Sequence, residues 1–178
     1  MAEAQIVEHP FDPVYTPDSK VLILGSLPSV ASRQQNFYYG HPQNRFWKLL
    51  AAIFEEDIPK TIEEKTAFLN RHQIALWDVI AKCSIENSSD ASIRNAVPND
   101  LNRIFKAAKI QAVICNGQAA AKLYKKHQEQ KSGLPCLVLP STSPANAAYS
   151  LERLISCWKE PLLHALETEQ PEQDRRPA

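Results

Sequence analysis

The stretch VLILGSLPS, residues 21–29, decides the reading of the fold: four apolar residues run without alternation and stop at a Gly-Ser turn. Three further runs repeat the pattern, IALW at 74–77, AVIC at 112–115 and CLVL at 136–139. A nearly continuous apolar run of this length suits a strand buried on both faces, as in a parallel sheet. The intervening segments have helical spacing. Residues 44–54 set Trp47, Leu50 and Phe54 on one stripe, and Thr61 with Glu64 gives a capping box opening a helix that holds Phe68 and Leu69. Further helices are expected after Pro98 and Asn99 (Leu101, Ile104, Phe105, Ala108), from Gln118 to about Gln128, and from Leu151 through Trp158, with Pro161 ending or kinking the last. The order β, α, α, β, α, β, α, β, α predicts a three-layer α/β sandwich around a central four-stranded parallel sheet, with ligands at the carboxyl ends of the strands.

The chain of 178 residues suits one domain, expected over residues 1–166, with a disordered polar tail at 167–178, ETEQPEQDRRPA. Residues 84–98, rich in Ser, Asn and Asp, are expected to form a long surface loop. Lys+Arg and Asp+Glu balance at 20 each, which argues against a protein that coats nucleic acid but leaves room for a local basic face. Cys83, Cys115, Cys136 and Cys157 are widely spaced, with no CxxC pair, so reduced thiols are expected and a zinc or disulfide framework is not. The N-terminus lacks the features of a signal peptide and no run reaches the roughly 18 apolar residues of a membrane span, so a cytoplasmic, non-membrane protein is expected.

With that sheet, the functional positions are those just past each run: Gly25, Ser26, Leu27, Pro28 and Ser29; Asp78; Asn116 and Gly117; and PSTSPAN at 140–146. Gly, Ser, Asn and Pro supply free backbone amides and short polar groups that approach a ligand closely. The segment NFYYGHPQNRFW, residues 36–47, places four aromatics besides Trp47 in a connector. Exposed rings there must pack inward or stack on a planar ligand such as a nucleobase. Trp47 reads as core and Phe46 as the better candidate for a ligand-facing ring. Among the five histidines only His41 sits in a candidate loop, where satisfaction by backbone carbonyls is at least as good a reading as catalysis. The G-x-S-x-G elbow of serine hydrolases is missing, and the glycines are too few for a dinucleotide or P-loop cradle.

Taken together, GSLPS at 25–29, FYYGHPQNRFW at 37–47, IALWD at 74–78 and LPSTSPAN at 139–146 resemble the uracil-DNA glycosylase superfamily, and within it the hypoxanthine-DNA (deoxyinosine) glycosylase family. The resemblance spans residues 10–166. It implies a flipped-out base held at the strand ends, hydrolysis of the N-glycosidic bond of hypoxanthine in DNA, and a monofunctional reaction leaving an abasic site, since no lysine lies in the motifs. It implies Asn44 as the catalytic residue that positions water, because Leu27 stands where many superfamily members carry a carboxylate or amide. Base contacts are implied for Gly25, Ser26, Leu27, Tyr39, Phe46, Asp78 and Asn116, with Phe46 stacking on the base. DNA contacts are implied for Ser29, Arg45, Ser141, Thr142, Ser143 and Pro144. Asp78 or Asn116 would accept the N1–H of hypoxanthine, although Asp78 reads equally well as a cap on the next turn. No metal or cofactor is expected; the partner is DNA containing a deaminated base, and the protein is expected to be a monomer. Uracil excision from mismatches and an idle DNA-damage binder are the alternative readings.

Overall fold

In chain order the strands are β1 (Gln5–Glu8), β2 (Val21–Gly25), β3 (Ile74–Asp78), β4 (Ile80–Ile85), β5 (Arg94–Pro98), β6 (Ala112–Asn116) and β7 (Cys136–Leu139). The helices are α1 (Val30–Gln35), α2 (Phe46–Phe54), α3 (Ile62–Arg71), α4 (Asn102–Ala107), α5 (Gln118–His127), α6 (Glu129–Ser132) and α7 (Leu151–Glu167). These elements come from a computed structural model that describes residues 5–9, 11–27, 30–35, 37–85 and 94–167.

The four apolar runs form one parallel sheet in the order β3-β2-β6-β7, flanked by helices. Val21, Leu22, Ile23 and Leu24 are 0% exposed, as strands covered on both faces must be. From β2 the chain crosses first to β3 on one side and later to β6 on the other. The strand order therefore reverses between β2 and β6, and the crevice at their carboxyl ends is the site such a sheet offers a ligand. The free edge of β3 is covered by the N-terminal arm: Val14 and Leu76 exchange both backbone hydrogen bonds, at 2.9 and 2.8 Å. Such cover keeps an edge from pairing with another chain.

The capping box forms as expected: Thr61 Oγ1 accepts the Glu64 N–H at 3.0 Å while the Glu64 carboxylate accepts the Thr61 N–H. Pro161 does not end the last helix, which runs through it to Glu167. Leu154, Trp158 and Leu162, all 0% exposed, form an i, i+4, i+8 stripe that straddles the proline. Burying that stripe outweighs the roughly 3 kcal/mol that a proline costs a helix interior. The expected tail start at residue 167 is likewise corrected, since Glu167 closes α7; residues 168–178 lie outside the described residues.

A second sheet was not foreseen. Strands β1, β4 and β5 form an antiparallel sheet in the order β1-β4-β5, so Ser84 and residues 94–98 are strand rather than loop. Asn95 at φ +54° and register shifts around Lys82 break the alternation that would have revealed β5. Residues 86–93 lie outside the description. Only Val79 separates β3 from β4, so the small sheet grows from the carboxyl end of the large one, beside the crevice.

Candidate functional site

The ends of β2 and β3 are held together by Val79 N–H to Gly25 O at 2.8 Å and Ile80 N–H to Ser26 O at 3.1 Å. Gly25 is required by close approach: a Cβ there would lie 2.4 Å from Asp78 Oδ1 and 3.1 Å from Tyr39 Oη. Asp78 Oδ1 is thus turned toward the end of β2, beside the Tyr39 hydroxyl. Leu27 packs against the small apolar cluster of Ile80 and Cys83, which explains an apolar residue in this loop. Ser29 and Pro28 lie outside the described residues.

Asp78 is buried, and its Oδ2 stands 2.8 Å from His9 Nε2, a partner that the sequence reading missed. The β1–β4 pairing and the bond from His9 N–H to Ala81 O at 2.7 Å deliver His9 to this place. The far ring nitrogen, Nδ1, lies 2.8 Å from Phe11 O. A carbonyl only accepts, so Nδ1 carries a hydrogen, and a further proton must lie between Nε2 and Oδ2 for that contact to be attractive. Asn99 Nδ2 donates to Asp78 O at 2.8 Å, so the main chain is fixed as well as the carboxylate. Those bonds go beyond a simple turn cap.

The connector at 37–47 folds as a layered aromatic cluster. Phe37, Tyr38, Phe46 and Trp47 are buried. Burial, reinforced by the Asp78 carboxylate and Tyr39, pushes the Tyr38 hydroxyl above the ordinary phenol range, and it donates to Asp12 O at 2.9 Å. Trp47 is core, as expected, and its indole N–H donates to Tyr38 O at 3.1 Å. Phe46 is 0% exposed beneath Tyr39, whose ring lies 4.1 Å away and tilted by 30°. A ligand reaching this stack meets Tyr39 first. Tyr39 holds a left-handed backbone, φ +54°, which costs a residue with a Cβ about 1 kcal/mol or more. Asn44 is half-buried; its Oδ1 accepts the Phe46 N–H at 3.0 Å at the start of α2. That bond orients the carboxamide and leaves one oxygen lone pair for another donor. His41 Nδ1 accepts the Gln43 N–H at 3.1 Å, so its backbone partner is an amide N–H and not the carbonyl weighed for it.

The loop 140–149 is held from below by Arg45. Its Nη2 donates to Ser143 O at 2.7 Å and Asn146 O at 3.1 Å, its Nε to Thr142 O at 3.4 Å, and its Nη1 to Tyr149 O. Four of five guanidinium donors are spent on carbonyls, so this side chain shapes the loop instead of reaching out as a phosphate ligand. Thr142 is 0% exposed and closes a two-point clamp with Asn116: its N–H donates to Asn116 Oδ1 and Asn116 Nδ2 donates to its Oγ1, both at 3.0 Å. One N–H and one oxygen lone pair of that amide remain beyond the clamp. The clamp needs Gly117, at φ +97°, where a Cβ would come within 3.0 Å of Ser141 Cβ. Ser141 and Ser143 are half-buried, and each hydroxyl accepts a backbone N–H two residues on, from Ser143 at 3.1 Å and Ala145 at 3.2 Å. Their own O–H hydrogens remain for an outside acceptor. Pro144 and Ala145 form the outer part of the loop, with Ala145 exposed.

The structure thus brings Gly25, Ser26, Leu27, Tyr39, Asp78 and Asn116 to one sheet edge. A carboxamide on a helix start, an aromatic platform, a buried acceptor and a Ser-lined loop suit a planar base attached to a phosphate backbone. A separate shallow hollow lined by Glu55, Glu56, Asp57 and Glu64 lies past the C-terminal end of α2 and is too acidic for a polyanion. Among the described residues no group of three or more His, Cys, Asp or Glu side chains is arranged to hold a metal, and no helix is long and apolar enough to cross a membrane.

Comparison with known proteins agrees with this geometry. The model of the uracil DNA glycosylase superfamily matches residues 13–166. A hypoxanthine DNA glycosylase of Methanosarcina barkeri is 34% identical over 153 residues, covering 84% of this chain and 94% of the relative. One from Methanosarcina acetivorans is 33% identical over 150 residues, covering 83% and 94%. An NMR solution structure of a Methanosarcina acetivorans protein, provisionally named a uracil DNA glycosylase, superposes with TM-score 0.76 at 32% identity, covering 90% of this chain and 99% of that one. Fold, motifs and relatives agree, and the chain belongs to the uracil DNA glycosylase superfamily.

Proposed function

We propose that this protein excises hypoxanthine from deoxyinosine in DNA by hydrolysis, leaving an abasic site, with Asn44 as the residue that holds the attacking water. The observation that carries the reading is the bond from Phe46 N–H to Asn44 Oδ1, which fixes a half-buried carboxamide with a spare lone pair beside the crevice. The names of the two curated relatives support hypoxanthine as the base.

Cleavage of an N-glycosidic bond develops positive charge on the sugar and negative charge on the departing base. An amide oxygen that already accepts one N–H is a weak base, so Asn44 contributes by placing the water more than by removing its proton. Tyr39 offers the base a ring face, with Phe46 supporting it from beneath. Asp78 Oδ1 accepts the ring N–H of the base. The free hydroxyl hydrogens of Ser141 and Ser143 donate to backbone phosphates, and Arg45 keeps their loop in shape. Asn116 and Thr142 position that loop through their clamp.

The test is product analysis on duplexes carrying one deoxyinosine, deoxyuridine or deoxyxanthosine. Free hypoxanthine should be the fastest product, and the strand should break only after alkali. Faster uracil release would reassign the base, and strand breaks without alkali, trapped by borohydride on a lysine, would exclude a monofunctional reaction.

A further inference from the structure

The buried contact between His9 and Asp78 has no part in water activation or in gripping DNA, yet both side chains are nearly inaccessible, at 3% and 4% exposure. We infer that His9 is a positioning residue for base choice: it fixes one proton against Asp78 Oδ2, leaving Oδ1 a bare acceptor that takes a base with a ring N–H and rejects one without. The inference rests on the proposed function and names what that site selects.

The argument is an inventory of protons. Phe11 O, 2.8 Å from His9 Nδ1, can only accept, so that nitrogen is protonated. One more proton sits in the 2.8 Å contact between Nε2 and Oδ2. On nitrogen it makes an imidazolium facing a carboxylate; on oxygen it makes a neutral imidazole facing an acid. In both arrangements Oδ1 carries no hydrogen.

Oδ1 is turned toward the end of β2, within 2.4 Å of the place a Gly25 Cβ would take. Tyr38 and Tyr39 stand near Asp78 from the aromatic connector, with Asp12 and Arg103 beyond them, and the Tyr38 hydroxyl is already spent on Asp12 O. His9 is bonded to this carboxylate through Oδ2.

Deamination changes the base at the matching position. Hypoxanthine carries N1–H and uracil carries N3–H, where their parents adenine and cytosine present a lone pair. A bare acceptor therefore sorts hypoxanthine from adenine and uracil from cytosine. Facing a lone pair, it is left buried and unpaired, which discriminates by about tenfold to a hundredfold. Without His9, no partner fixes an acid hydrogen on the Oδ2 side, and when Asp78 is protonated that hydrogen can reside on Oδ1 and donate to adenine N1.

The experiment measures binding of duplexes with a single deoxyinosine or deoxyadenosine, by fluorescence polarisation, and base release from both. It uses the full chain as wild type, His9→Leu and His9→Gln, at pH of about 8 and about 5.5. Wild type should prefer inosine at both pH values. His9→Leu should lose about tenfold to a hundredfold of that preference, most at the lower pH. His9→Gln, whose amide can still donate to Oδ2, should keep the preference at the higher pH and lose it at the lower, which serves if His9→Leu does not fold. A preference equal to wild type in every folded variant at both pH values would overturn the inference. Loss of binding to both duplexes in equal proportion would also overturn it, by assigning His9 to stability alone. If wild type releases no base but prefers inosine in binding, and the variants lose that preference, the enzymatic reading fails and the inference stands. If wild type shows neither release nor preference, both fail.

Discussion

The Tyr39 ring lies over the Phe46 ring with centroids 4.1 Å apart, and Phe46 beneath it is wholly buried. The two aromatics therefore have separable roles. Phe46→Ala should cost about 3–5 kcal/mol of stability, as a core deletion does, while Tyr39→Ala should cost much less and relieve a left-handed backbone only in part. Tyr39→Ala should instead slow base release and raise KM, with Tyr39→Phe retaining most activity. Urea denaturation and single-turnover kinetics on the three variants separate these effects.

Arg45 binds four carbonyls of the 142–149 loop, so its charge is not counted among phosphate contacts. Arg45→Gln should weaken DNA binding by disordering the loop, yet leave the slope of log affinity against log salt changed by much less than about one, the change expected for losing a phosphate cation. Arg45→Lys should not rescue, because an ammonium lacks the planar fork. Limited proteolysis within the loop, faster in both variants, checks the assigned cause.

The Thr142–Asn116 clamp predicts a different pair of outcomes. Thr142→Val removes the acceptor for Asn116 Nδ2 while keeping shape, and should destabilise by about 1–3 kcal/mol as that buried amide loses its partner. Thr142→Ser keeps the hydroxyl and should lie within about 1 kcal/mol of wild type. Chemical denaturation of both variants decides.

The fold was legible where burial dictates composition. Strands covered on both faces must be apolar throughout, so β2, β3 and β6 announced themselves and their carboxyl ends located Gly25, Asp78 and Asn116, while β7 is as apolar in sequence although Leu137 on this edge strand is exposed. The small sheet was not legible, because β5 is exposed at three of its five positions and half-buried at the other two, with Val97 outward, and Asn95 interrupts its alternation. His9 was missed for a related reason: it lies 69 residues from Asp78, and the pairing of β1 with β4 that joins them leaves no periodic mark. Thr142 and Arg45 read as DNA contacts because a hydroxyl or guanidinium looks the same in sequence whether its partner is a phosphate or the protein's own backbone. Pro161 was overrated as a breaker because its local cost was weighed without the buried stripe of Leu154, Trp158 and Leu162.

Away from the site, donation from Arg71, reinforced by His72, holds the half-buried Glu56 carboxyl below its ordinary value of 4.5. The unfolded chain then binds the proton more readily than the folded one. The pair's contribution is complete above pH 4.5 and is lost as pH falls through the lower folded value. Glu56→Gln should accordingly lower stability slightly at neutral pH and flatten the acid limb, as read by denaturation across pH 7 to about 3.

The central claim is that Asn44 holds the attacking water. The direct measurement is single-turnover release of hypoxanthine from a deoxyinosine duplex by wild type, Asn44→Ala and Asn44→Asp, with melting curves to account for the lost bond to Phe46 N–H, worth about 1 kcal/mol. A loss of a hundredfold or more in Asn44→Ala, on the order seen when one preorganised catalytic contact is removed, with partial activity in Asn44→Asp, whose carboxylate still accepts both the Phe46 N–H and a water, is the predicted result. Release at the wild-type rate by folded Asn44→Ala would contradict it.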